Sequence, residues 1–156
     1  MALDISSFDE AFDHYDTTID GEDVRFHWCK PDPYDLIDLR KDSQELDRKM
    51  TRHRKAMKAE LEAVAAQEGV DVEDVEGVER PTIEISATDY YPVLAFIARH
   101  IAKVDGLENG GKAVVWRELS QELQRTVLRR LHPLEAFDLL HTITDSANLG
   151  NDSGSA

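Results

Sequence analysis

From Pro33 to Gly69 the chain can be wound as one long helix on which apolar and basic residues separate onto opposite sides. On a 3.6-residue wheel Leu39, Leu46, Met50, Met57, Leu61 and Val64 fall in a band roughly 60° wide, and Lys41, Arg48, Arg52 and Lys55 fall about 180° away. Such an element needs an apolar surface on one side and offers positive charge on the other. It predicts an association surface before it predicts any chemistry.

A chain of 156 residues supports one core, or a small helical unit with an appendage. Acids outnumber bases 32 to 18, and the imbalance is uneven: net −6 over residues 1–30, +2 over 31–58, −7 over 59–80 and −3 over 81–156. The basic stretch is therefore an island in a negative chain, whose field repels nucleic acid and anionic membranes unless the island acts locally. Acids spread through every segment also match a salt-adapted, halophilic-like solvation shell. Cys29 is the sole cysteine, which rules out an intramolecular disulfide and gives no sign of an oxidising compartment. Met1 to Phe12 has neither a basic start nor an apolar run, and no run approaches the roughly 18–20 apolar residues of a membrane span. Cytoplasm, or a particle assembled there, is the expected site of action.

The fold class expected is mainly α with a small N-terminal β-hairpin, a long amphipathic helix and a C-terminal three-helix bundle. Asp20-Gly21 reads as a two-residue hairpin turn, which sets Tyr15 against Phe26, Thr17 against Val24 and His14 against His27. A lone hairpin is marginal in water, so the ribbon is expected to lie on another element, with the long helix's apolar stripe as the candidate. Residues 1–69 then form a first sub-unit. Val70 to Arg80 is almost entirely Val, Asp, Glu and Gly and predicts an acidic linker at 70–81. Thr82 to Ser86 alternates briefly, as a short strand or extended lead-in, and opens a second sub-unit, 82–149. Thr88 predicts a helix start, with Tyr90, Leu94, Ile97, Ile101 and Val104 as the buried face up to Asp105. Trp116, Leu119, Leu123, Val127 and Leu131 predict a second helix ending at His132. Pro133 opens a third, with Leu134, Phe137, Leu140 or His141, and Ile143 inward. Residues 150–156 are small and polar and read as a disordered tail.

No constellation carries a reaction. His14, Asp16, His27 and Cys29 share the outer face of the hairpin and offer N, O and S donors of the kind zinc takes. They lack any paired ligand spacing, so solvated outer residues are preferred and no metal or cofactor is assigned. His100, His132 and His141 lack an oriented partner in the sequence. Asn109-Gly110-Gly111-Lys112 lacks the upstream glycine and the following Ser or Thr of a phosphate-binding loop. The basic residues have three readings: a solvated face paired with Glu45, a dock for an acidic protein segment such as Val70 to Glu79, or a nucleic-acid contact. The last is disfavoured by the surrounding charge and by the lack of interleaved aromatics.

Ile101-Ala102-Lys103-Val104-Asp105-Gly106, then Trp116-Arg117-Glu118-Leu119, then the Leu131-His132-Pro133-Leu134 corner resemble a pattern in tail and baseplate assembly proteins of tailed viruses. There, a helix ending in an apolar-Asp-Gly corner precedes a loop, a Trp-x-x-Leu helix and a last short helix. The hairpin and helix over Asp13 to Leu39 are similar to the start of some tail assembly chaperones. The resemblance implies a non-enzymatic, protein-binding role without a cofactor. The expectation is an assembly factor or adaptor that binds a partner or a second copy through Leu39, Leu46, Met50, Met57, Leu61 and Val64. The alternative is a small regulatory adaptor contacting nucleic acid or an acidic partner through residues 41–58.

Overall fold

Asp20 and Gly21 take positive φ (51° and 84°), the twist that a two-residue turn needs to match right-handed strands. They join β1 (Asp13–Ile19) to β2 (Glu22–Trp28). The register is the one the sequence predicts, with His14 opposite His27, Tyr15 opposite Phe26 and Thr17 opposite Val24. The computed structural model describes residues 3, 10–77 and 85–152, with side chains up to residue 147. These residues form two units, one made of 1–41 and 91–156 and the other of 42–90.

In the first unit the chain continues through α1 (Pro33–Asp42), α3 (Tyr91–His100), β3 (Ile101–Asp105), a small hairpin of β4 (Glu108–Asn109) and β5 (Lys112–Ala113), α4 (Gln121–Leu128) and α5 (Pro133–Asp152). Strand β3 adds antiparallel to β2, giving the order β1-β2-β3. Val24, Phe26 and Trp28 point to the helices and are buried. The Phe26 ring meets Trp116 edge to face at 6.2 Å, and the Trp116 Nε1–H donates to the Ala98 carbonyl at 3.0 Å. Phe96, Ile97, Ile101, Leu128, Leu139 and Ile143 are fully buried as well, with α4 and α5 packed on α3. On β1, the Tyr15 hydroxyl donates to Asp138 (2.8 Å) and Thr17 to Glu135 (3.0 Å), which fastens the strand to α5.

The hairpin is thus fixed in a three-stranded sheet over the C-terminal helices, not grouped with the long helix as a sub-unit of residues 1–69. The helix expected up to Asp105 ends at His100, and the following five residues are strand. The reason is a bulge: pairing slips between His27 and Trp28, leaving Ala102 unmatched. Ile101 and Val104 consequently face the same side three residues apart, which mimics a helical interval. Gly106, expected as a helix stop, ends this strand with φ 93°.

The helix expected from Trp116 to His132 starts late. Trp116–Glu118 is a 3₁₀ turn, and Ser120 caps α4 by accepting the Leu123 N–H at 3.1 Å. Leu128 is its buried residue, while Leu123 is exposed. On α5 Leu140 rather than His141 is buried, and Leu134, expected inward, is 74% exposed. Helix α5 carries on to Asp152, so the expected tail begins as helix, and residues 153–156 lie outside the described ones.

The second unit is built on α2 (Gln44–Glu68). The single helix expected from Pro33 to Gly69 is divided at Ser43, a buried residue with φ −97° and ψ 9° that leads into α2. Leu39 and Lys41 therefore belong to α1, a separate helix. Gly69 closes α2 in the left-handed conformation, its N–H returning to the Ala65 carbonyl. The expected linker holds a 3₁₀ turn at Val72–Asp74, and another lies at Ala87–Tyr90. The rest of the linker beyond residue 77, and most of the strand expected at Thr82 to Ser86, fall outside the described residues.

Candidate association surface and polar sites

Burial along α2 follows the predicted stripe with a rhythm of three and four residues. Leu46 is buried, and Met50, Met57, Leu61 and Val64 are half-buried. His53 occupies the same seam and is half-buried too, a member that a search for apolar residues alone passes over. Leu39 is half-buried on α1. Of the basic set, Arg48, Arg52 and Lys55 are exposed on α2, and Lys41 is exposed on α1. Arg48 reaches Glu45 at 3.4 Å. Lys49, not singled out by the sequence, makes the closer pair: its Nζ lies 3.1 and 2.9 Å from the two Asp89 oxygens. That ammonium, helped by the Ser86 N–H, holds the Asp89 carboxyl below the usual carboxylate range.

The basic residues of α2 cluster between Arg48 and Lys58, with Glu45 and Asp47 before them and Glu60, Glu62 and Glu68 after. No helix among the described residues is long and apolar enough to cross a membrane.

The outer face of the sheet brings the expected zinc donors together only in part. His14 and His27 sit across from each other with ring centroids 5.9 Å apart. Asp16 is taken by Arg25 through two contacts of 2.6 and 3.1 Å, which holds its carboxyl low. His27 Nε2 lies 2.7 Å from Asp105, whose carboxyl is lowered first by that hydrogen bond and further by Lys103. Cys29 lies beyond the end of β2, buried, its N–H on the His100 carbonyl and its Sγ 3.5 Å from Arg117 Nη2. Among the described residues no three His, Cys, Asp or Glu side chains form a group able to hold a metal ion. Two of the donors, Asp16 and His27, are engaged across strands by Arg25 and Asp105, contacts that support the register of the sheet.

His100 is the titratable group buried in the helical layer. Its Nδ1 lies 2.8 Å from the Phe96 carbonyl and its Nε2 3.1 Å from Asp35 Oδ2. Both nitrogens face oxygen acceptors. Asp35 also forms a reciprocal cap with Asp32: each carboxylate accepts the other's backbone N–H, at 2.8 and 3.0 Å. Burial raises the Asp35 carboxyl and is the largest single influence. The Asp32 N–H, His100 and Arg99 together outweigh it and leave the carboxyl below its ordinary range. The Asp32-Pro33-Tyr34-Asp35 run was the available sequence signal for this cap. The partnership with His100 was not visible, because it joins positions far apart in the chain. Compared with protein-family models, with characterised proteins and with solved structures, the chain matches none.

Proposed function

We propose that the protein is a non-enzymatic association factor, an assembly or adaptor protein that pairs with a second copy of itself through the α2 seam. The observation that carries this reading is the poverty of burial in the unit around α2. Among the described residues from Asp42 to Tyr90 only Ser43, Leu46 and Ala65 are buried, while Met50, His53, Met57, Leu61 and Val64 are half-covered. Units of this size rarely hold themselves together on so small a core. From Leu46 to Val64 the seam runs about 27 Å, enough for several interlocking layers between two helices.

Charge selects the occupant. Lys49 and Glu60 flank the stripe on the same side, so two copies of α2 laid antiparallel about its middle bring Lys49 of each towards Glu60 of the other. The tail-assembly resemblance agrees with a protein-binding role and adds nothing to the choice of partner, since residues 101–105, on which it draws, are strand. Sedimentation across a concentration series tests the reading. The full chain is expected to self-associate, and Met50→Asp with Met57→Asp to render it monomeric with the first unit still folded. A wild type that stays monomeric at high concentration, together with cooperative unfolding of the variant, would make the stripe internal core and overturn the proposal.

A further inference from the structure

Independently of α2, the first unit contains a cavity of about 700 Å³, walled by the chain before α1, the end of α3 and the turn carrying Arg117. Its size is that of a small-molecule site rather than a groove for a chain. Three permanent cations converge on it from separate elements: Lys30 from the connection after β2, Arg99 from the last turn of α3, and Arg117 from the 3₁₀ turn. Glu10, Asp32 and Asp35 line it as well. Two of these acids are already engaged. Asp32 and Asp35 accept each other's backbone N–H, and Asp35 also meets the buried His100 ring. Lys30 sits 5.6 Å over the Phe12 ring centroid, a contact that leaves its ammonium hydrogens unspent. Among the described residues neither Lys30 nor Arg99 has an ion pair within 4.0 Å.

We propose that this cavity is a binding site for a small phosphate monoester. Two guanidiniums and an ammonium match a dianionic, three-oxygen head better than a single carboxylate, because Arg presents paired N–H donors in a planar fork and Lys adds a point charge. Phe12 and Pro31 on the same wall offer apolar contact to the body of the ester. The Asp35–His100 pair acts as a positioning element: it anchors the start of α1 to the end of α3, so that Lys30 and Arg99 keep their separation.

Phenyl phosphate titrated into the isotope-labelled full chain tests the proposal by amide chemical-shift mapping and calorimetry, with benzoate titrated in parallel. Saturable binding at one site per chain is expected, with shifts centred on residues 29–32, 99–100 and 117. Arg99→Gln with Arg117→Gln should weaken it by about tenfold or more, the usual consequence of losing charge-assisted hydrogen bonds. Arg48→Gln with Arg52→Gln, the same charge change on α2, should leave it unaltered. Should the Arg99 and Arg117 variant fail to fold, Lys30→Gln alone decides, with a loss of affinity expected. The proposal is overturned by non-saturating shifts, by equal affinity for benzoate, by equal losses in the α2 variant, or by full affinity in the cavity variants.

Discussion

The imidazole of His100 and the carboxylate of Asp35 meet at 3.1 Å, so one side-chain contact joins the first turn of α1 to the last turn of α3. Asp35→Asn removes the charge opposite a buried ring and weakens the reciprocal cap. A loss of about 1–3 kcal/mol in urea unfolding is expected. The carboxyl is lowered in the folded chain. Its contribution is therefore complete above the ordinary carboxylate value, near 3.9, and fades as pH falls below that. The stability gap between wild type and Asp35→Asn should accordingly hold at neutral pH and narrow in that acid range.

Tyr15 provides the opposite sign. Burial, and then its hydrogen bond to Asp138, push its phenol up from 10.0 to about 12. A raised acid is neutral in the folded chain when it has already ionised in the unfolded one, so stability is full below pH 10 and declines as pH rises towards 12. Ultraviolet titration should show one tyrosine ionising near pH 12, and Tyr15→Phe should abolish that step.

The two tryptophans are both buried but differently bonded. Trp116 Nε1 reaches the Ala98 carbonyl at 3.0 Å, whereas Trp28 Nε1 has no partner among the described residues. Replacement by Phe removes similar volume at each site. Trp116→Phe also orphans a carbonyl, so it should cost about 1–2 kcal/mol more than Trp28→Phe by chemical denaturation.

Gly106 combines φ 93° with a backbone approach that leaves no room for a methyl group: a Cβ there would collide with the Asp23 carbonyl oxygen. Gly106→Ala should destabilise by about 2–4 kcal/mol, since both strain and collision apply. Gly111→Ala, with φ 84° and open space around it, should cost only about 1 kcal/mol. Thermal unfolding of the pair separates the two effects.

Charge reversal tests the antiparallel arrangement proposed for α2. Lys49→Glu or Glu60→Lys alone should weaken self-association, and the double exchange should restore it, as read by sedimentation. His53→Leu should tighten it several-fold, because a polar ring in the seam gives way to an aliphatic side chain. Restoration failing in the double exchange would exclude that alignment.

Local chemistry made part of this fold readable. Asp20-Gly21 and the alternation of Val24, Phe26 and Trp28 fix turn and register within one short segment, and both stand in the structure. The α2 stripe from Leu46 to Val64 is likewise local, and its burial rhythm follows the prediction. What was not readable depends on distant partners. Ile101 and Val104 look helical because a bulge opposite β2 shifts the phase of β3. Ser43 is a common helix-start residue, yet the stripe runs across it without a visible gap. The cavity cations are separated by most of the chain, so no window of sequence contains them together.

The pairing of β2 with β3 joins Arg25 to Asp105 across the whole of α1, α2 and α3. During synthesis the hairpin leaves the ribosome before β3, with the free edge of β2 unpaired until the residues up to Asp105 have followed. Closing so long a loop is the slow kind of event in folding, and its entropic cost grows only with the logarithm of length. The interval between emergence of the hairpin and arrival of its third strand is thus the period in which the nascent chain is most open to mispairing. Asp13 and Asp16 lie on β1, the outer edge of the finished sheet, where their charge discourages pairing and leaves the waiting edge of β2 to meet β3.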